Sequence, residues 1–271
     1  MNWRAIRAIV RKDLTVVRRS RAIMIPMIVV PILMLVVLPV TLSVLPALFD
    51  SAEGLAELKD ATDRLPESLR TRLAGYTPQQ AWIMTIHDYL LGPLFLLVPF
   101  MVASIIAADS FAGERERKTL EALLNAPAAD LELFVAKVLA AWLPAMAVSV
   151  MGFGLYTVVA NAAAWPVMGR VFFPNLTWMV LVFWVAPAFA VLALAGMVLV
   201  SLRVRGTQEA MQLGGFFVIP LLALIVGQIN GLVLLGPSTM LVLGAVVWLL
   251  GALLLRHGAR SFRRTKLIAR L

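Results

Sequence analysis

The chain has 271 residues, of which 61% are hydrophobic and only 14% are charged. A soluble domain is usually about 45–50% apolar and about 25% charged, so this composition excludes an ordinary soluble domain and favours the lipid bilayer as the solvent. The chain also has no cysteine, which excludes disulfides, thiolate metal sites and a cysteine nucleophile.

Six apolar runs are long enough to cross a bilayer, since a transmembrane helix needs about 20 apolar residues and the lipid forces backbone groups to pair within the helix. We therefore predict an all-α, polytopic membrane protein with a single transmembrane domain over residues 1–271. The predicted spans are 22–48, 89–108, 138–160, 176–202, 213–229 and 239–255, and none of them contains Asp, Glu, Lys or Arg.

Two alternatives stay open for these spans. The last two runs lie close together, so a hairpin that fails to cross fully is possible there. The first run could be a cleaved signal peptide, although its apolar stretch is about twice the usual 7–15 residues.

The distribution of Lys and Arg predicts the orientation. With six spans, nineteen of the 24 basic residues fall on the side of both termini and five fall on the other side. We therefore expect both termini, including the basic tail 256–271, in the cytoplasm of a multi-pass plasma membrane protein. The net charge of +9 then reflects topology and contact with lipid head groups rather than nucleic acid.

The N-terminal segment 1–21 has apolar residues at three- and four-residue steps between arginines. This pattern predicts an amphipathic helix lying in the cytoplasmic interface, either as a simple anchor or as a lever that carries force into the first span. The apolar positions are Trp3, Ile6, Val10, Leu14 and Val17.

The extracytoplasmic loop 49–88 predicts short amphipathic helices, one of them starting at Pro66. Thr77, Pro78 and Gln80 have the spacing of a capping box with Pro at the first helical position. At the end of this loop, His87 and Asp88 are neighbours in sequence and do not face one another on a helix, which disfavours a metal or proton site.

The loop 109–137 interrupts this apolar chain with six charges among the eight residues 114–121. Thr119 to Asn125 predicts a short exposed helix that Pro127 ends, and Asp130 can cap the next helix. A solvated connector and a helix that docks into a partner both fit this pattern.

The segment 111–127, FAGERERKTLEALLNAP, resembles the first cytoplasmic loop of permease subunits of ABC-2 type ABC exporters, especially small six-span members related to sodium-efflux and drug-efflux permeases. The basic entry Arg11-Lys12-Asp13-Leu14 and the segment 201–220 are similar to the same family. Lys118 and Ala136 depart from the family pattern, where glycine is common.

The resemblance implies the membrane subunit of an ATP-driven exporter, with ATP and Mg bound by separate cytoplasmic ATPase subunits and no cofactor or metal in this chain. The chain has no phosphate-binding G-x-x-x-x-G-K-[ST] motif. The resemblance further implies a second permease copy or homologue and a prokaryotic inner membrane. The residues expected to couple to the ATPase are Glu114, Arg115, Glu116, Arg117, Lys118, Thr119, Leu120, Glu121, Leu123 and Leu124.

A substrate pathway between the first, second and fifth spans of two protomers also follows only from the resemblance. Two other classes of function are an intramembrane enzyme and a structural subunit. An intramembrane enzyme needs catalytic polar groups at membrane depth, and the predicted spans offer none. A non-transporting structural or assembly subunit of another membrane complex remains the alternative.

Overall fold

The structure is a computed structural model that describes residues 2–48, 51–117, 129–204, 206–229 and 236–261. Helices joined by turns and short irregular segments account for these residues, and no strand forms among them. The helices are α1 Trp3–Arg19, α2 Arg21–Val44, α3 Ala52–Asp63, α4 Glu67–Leu73, α5 Pro78–Gly113, α6 Asp130–Met168, α7 Leu176–Ser201, α8 Thr207–Gln228 and α9 Pro237–Ser261.

Six of these helices, α2 and α5 to α9, are long and apolar enough to cross a membrane. The prediction of an all-α polytopic membrane protein with six spans is confirmed. The last two, α8 and α9, have 22 and 25 residues. At about 1.5 Å per residue each can cross alone, which favours two crossings over a hairpin.

Two of the helices extend well beyond their apolar runs. The predicted spans began at 89 and 138, whereas α5 begins at Pro78 and α6 at Asp130. At Pro78 the predicted capping box is confirmed. The Thr77 hydroxyl accepts a hydrogen bond from the backbone N–H of Gln80, and the Gln80 side-chain oxygen accepts one from the backbone N–H of Thr77. The extensions bring charged residues such as Lys137 into the helices.

The start of α6 differs from the prediction that Asp130 caps it. Asp130 is the first helical residue, and Ala129 occupies the cap position with an extended backbone. The Glu132 carboxylate accepts the Ala129 amide at 3.1 Å. An acidic residue is favourable in the first turn because the helix dipole is positive there, so Asp130 stabilises this end without capping it.

The core of the bundle forms around α5 and α7. In each of these two helices, 67% of an apolar stretch of 18 residues is buried, whereas the corresponding share is 22% in α2, α8 and α9. α7 packs against both α5 and α9, and α6 packs against α5 and α1. At the α7–α9 contact, a Cβ on Gly251 would lie 2.9 Å from Val191 Cγ1 and 3.4 Å from the Leu192 nitrogen. Glycine therefore sets how closely these two helices approach, as small residues do in membrane bundles.

The helix α1 forms as predicted, but its contact face differs from the predicted apolar face. Ile6 and Val17 are buried together with Asp13, while Trp3 is 63% exposed. This face packs against α6. The position of α1 relative to the bilayer stays a prediction.

The short helices α3 and α4 form in the loop after α2, with Pro66 directly preceding α4 as its cap residue. α3 packs against the first turns of α5. The loop is therefore attached to the first turns of α5, which precede His87.

Candidate functional site

The last turns of α5 lead into the charged loop. Residues Asp109–Gly113 form a wider π-helical turn, and Glu114–Glu116 form one further helical turn. A Cβ on Gly113 would lie 2.9 Å from the Thr207 hydroxyl and 3.0 Å from Asp109 Oδ1. Glycine leaves room here for polar side chains from two helices that converge on its backbone.

Glu114 lies between two lysines that come from different helices. Its Oε1 accepts from Lys12 of α1 at 2.6 Å, and its Oε2 accepts from Lys137 of α6 at 2.5 Å. Glu114 is only 5% exposed. One carboxylate therefore joins the base of the loop to α1 and to α6.

Lys137 is fully buried, and the surrounding residues satisfy its charge. Its ammonium also donates to the Ser110 carbonyl at 2.5 Å and lies 5.4 Å from the centre of the Phe111 ring. Buried charges are tolerated only when they are paired in this way. We call Lys12, Asp13, Ser110, Glu114 and Lys137 the junction cluster.

The electrostatics of the cluster favour the ionised forms of Glu114 and Lys12. Burial raises the pKa of Glu114, but the charges and hydrogen bonds of Lys137 and Lys12 outweigh burial and lower the pKa below its ordinary value of 4.5. Burial lowers the pKa of Lys12, but the hydrogen bond and charge of Glu114, with a contribution from Asp13, raise it overall above 10.5.

Asp13 is the least satisfied member of the cluster. Its Oδ1 lies 3.2 Å from the Lys12 ammonium, and its buried Oδ2 has no hydrogen-bond partner. Burial raises the pKa of Asp13 above 3.8, although Lys137 and Lys12 oppose this. A cavity of about 140 Å³ adjoins Asp13, Lys12 and Glu114.

Two further charged residues of the loop also contact the chain itself. Arg117 pairs with Asp109 at 2.9 Å. Glu116 accepts from the backbone amide of Thr207 at 2.9 Å and from its hydroxyl at 3.1 Å. The base of the loop is therefore connected to the start of α8 as well as to α1 and α6.

The predicted coupling residues fall into two groups. Glu114, Glu116 and Arg117 make the contacts above, and Arg115 lies in the same helical turn. The rest of the predicted coupling segment lies outside the described residues: Lys118, Thr119, Leu120, Glu121, Leu123 and Leu124. The placement of Glu114 differs from the expectation of a charge facing a partner, because its carboxylate faces the bundle.

Sequence reasoning did not select Lys12, Asp13 or Lys137 as functional residues. One signal was present, since Asp13 shares a helical face with Ile6 and Val17, where a carboxylate needs a buried partner. Lys137 was excluded from the third span although it directly precedes the apolar run.

A second feature is an apolar cleft of about 320 Å³ between α2, α5, α7 and α8. Its lining includes Met34, Met101, Met197 and Met211, and methionine adapts to ligands of varied shape. The Ser104 hydroxyl lies in the same lining and has no hydrogen-bond partner. The cleft adjoins the first, second and fifth spans, where the pathway was expected.

His87 lies within α5, and it is fully buried. Its Nδ1 donates to the Ile83 carbonyl at 2.9 Å, and its Nε2 lies 3.3 Å from the Ser43 hydroxyl. Asp88 points elsewhere and accepts from Asn175 at 2.6 Å. The two neighbours therefore face different partners, and His87 packs in an aromatic cluster.

Six apolar helices, with a charged junction where the loop leaves the bundle, define a polytopic membrane protein. A family model described as ABC-2 family transporter protein matches residues 7–257. The chain therefore belongs to the ABC-2 transporter family, and the resemblance seen in the sequence is confirmed. Members of this family are membrane transport components that are not themselves catalytic. Comparisons with curated proteins and with solved structures gave no match.

Proposed function

We propose that the chain is the membrane-spanning subunit of an ATP-driven exporter, and that the loop after α5 couples it to a separate cytoplasmic ATPase. Family membership supports a permease of ABC transporters in general. The observation that carries the coupling proposal is the double ion pair of Glu114, because it joins the loop base to two other helices.

The junction cluster is suited to transmit movement. Removing one partner from a buried ion pair typically costs about 3–5 kcal/mol, so displacement of the loop base moves the buried Lys137 with it more readily than it breaks that pair. The half-exposed Lys12 is held less strongly by the same carboxylate. Movement of Lys12 carries α1, which leads through Ser20 into α2. Movement of Lys137 carries α6.

The contacts of Glu114 change the roles proposed for the loop. Glu114 would hold the loop to the bundle, whereas the segment 118–124 would contact the ATPase. Within that segment Leu120 and Leu124 would anchor in a groove, since buried apolar residues dominate the affinity of an interface. Charges at the rim, including Arg115 and Lys118, would set orientation and association rate.

We further propose that two six-span subunits, identical or homologous, assemble in the inner membrane with their termini in the cytoplasm. Each would lie against an ATPase that binds ATP and Mg. The apolar cleft beside α2, α5 and α8 would form part of the export route. Its adaptable methionines support a route for an apolar cargo.

The test uses Leu124→Arg in the tagged full-length chain, purified from its native host in mild detergent. We expect normal insertion and yield but a loss of at least about tenfold in co-purifying ATP hydrolysis, because a charge in a buried anchor position opposes docking. The ATPase that accompanies the wild-type chain is identified by mass spectrometry.

A matched control is Leu131→Arg, a leucine just beyond the segment that is 60% exposed. It should retain the ATPase. If Leu124→Arg retains ATP hydrolysis as well as the wild type does, the loop is not the coupling element. If no ATPase accompanies the wild-type chain, the chain acts as a structural or assembly subunit instead.

A further inference from the structure

Four arginines of α1 form a row along one side of the helix. Arg4, Arg7, Arg11 and Arg18 are spaced by three, four and seven residues, which places them on one face. They line a surface groove of about 820 Å³ together with other residues that include Val10. All four arginines are exposed.

This face is distinct from the one that holds α1 to the bundle. The buried residues of α1 are Ile6, Asp13 and Val17, which lie more than a quarter of a turn away from the arginine row. Lys12 is also outside the row and is occupied by Glu114. Among the described residues, none forms an ion pair with the four arginines, so their charge is available to a ligand.

The position of α1 in the chain indicates the source of that ligand. Only Ser20 separates α1 from α2, the first membrane-crossing helix. Basic clusters directly next to a transmembrane helix are attracted to anionic lipids. Trp3 is 63% exposed at the start of α1, and tryptophan is enriched at the level of lipid head groups.

We propose that Arg4, Arg7, Arg11 and Arg18 form a binding site for the phosphate head groups of anionic phospholipids. The planar guanidinium binds phosphate through two parallel hydrogen bonds. Val10, which lines the same groove, provides an apolar surface for the adjacent part of the lipid. An acidic protein surface would leave this apolar lining without a matching partner, so the groove favours a lipid.

The site is tested in the full-length chain in dodecylmaltoside with a fluorescent short-chain phosphatidylglycerol, followed by anisotropy. In Arg7→Gln/Arg11→Gln, we expect binding to weaken by roughly tenfold or more, from the loss of two charges near the head groups. Phosphatidylcholine with the same chains should bind weakly to both proteins. Arg7→Lys/Arg11→Lys keeps both positive charges but loses the paired hydrogen bonds of the guanidinium groups. Its affinity for phosphatidylglycerol should lie between those of the wild type and of Arg7→Gln/Arg11→Gln.

The matched control is Arg19→Gln/Arg21→Gln, which removes two exposed charges from the same region but outside the row. It should weaken phosphatidylglycerol binding much less than Arg7→Gln/Arg11→Gln does. Equal weakening in the control would mean that net charge alone attracts the lipid, and unchanged binding in Arg7→Gln/Arg11→Gln would exclude the site. Either result overturns the proposal.

Two further arms separate the lipid from other ligands. If inorganic phosphate competes as well as phosphatidylglycerol does, the groove is a site for free phosphate. If Arg7→Gln/Arg11→Gln loses a co-purifying ATPase while lipid binding is unchanged, the row binds an acidic protein surface. Should the glutamine variant fail to fold, the lysine variant decides: phosphatidylglycerol binding weaker than that of the wild type supports the guanidinium site, and binding equal to that of the wild type excludes it. These results are independent of the Leu124→Arg test.

Discussion

Replacing Lys137 by methionine removes a buried ammonium while keeping a side chain of similar length. Lys137 has no exposed surface, and Glu114 keeps its ion pair with Lys12, which is 49% exposed. Loss of one partner from a buried ion pair typically destabilises a protein by about 3–5 kcal/mol. Because Lys12 still pairs with Glu114, we expect the lower end of that range, about 3 kcal/mol.

The second variant, Glu114→Leu, leaves the opposite charge unpaired. Lys137 then keeps the Ser110 carbonyl, the face of Phe111 and the more distant charge of Asp13. We expect a cost of at least about 3 kcal/mol. Combining Lys137→Met with Glu114→Leu replaces the pair by apolar groups of similar size, a change that is often neutral, so the double variant should be more stable than either single variant.

The cycle of four proteins is measured by reversible unfolding in mixed micelles of dodecylmaltoside and sodium dodecyl sulfate, which yields the free energy of unfolding. Contacting groups are expected to be non-additive. A matched control is Arg117→Gln, because Arg117 pairs with Asp109 while 48% exposed. Exposed pairs contribute about 0–1 kcal/mol. Additive costs across the cycle, or a cost below about 1 kcal/mol for Lys137→Met, would refute the assignment of a buried structural junction.

Three other outcomes follow from the packing and the charges. Gly251→Ala should destabilise the bundle by about 1–3 kcal/mol in the same unfolding assay, because its Cβ would overlap α7, whereas Gly154→Ala, with open space around it, should not; equal effects would contradict the close approach. Glu116→Ala should speed hydrogen exchange at the Thr207 amide, which donates to that carboxylate, and unchanged exchange would show that the bond is not formed. The stabilising effect of Glu114 should be constant above pH 4.5 and lost as pH falls through its lowered pKa. Glu114→Gln should therefore reduce the loss of thermal stability that occurs as the pH is lowered below 4.5. An unchanged loss in the variant would exclude Glu114 as its source.

The amino-acid sequence by itself determined the class of fold and the number of spans. The physical reason is local, since each apolar run must be long enough to cross the hydrocarbon and must satisfy its own backbone as a helix. The capping box at Thr77 could be predicted for the same reason, because all its partners lie within three residues. The loop at 111–127 was likewise sufficient for the family resemblance.

Only the tertiary structure decided which charges meet. Lys12 and Glu114 are 102 residues apart, and Lys137 follows Glu114 by 23 residues. In the composition, such residues contribute only to a general basic or acidic excess. Their pairing cannot be seen there, because it depends on how α1, α5 and α6 pack. Helix packing brings two ammonium groups onto one carboxylate, and burial then makes that arrangement costly to break. The sequence therefore located the charged loop, and the packing showed how that loop is fixed to the rest of the bundle.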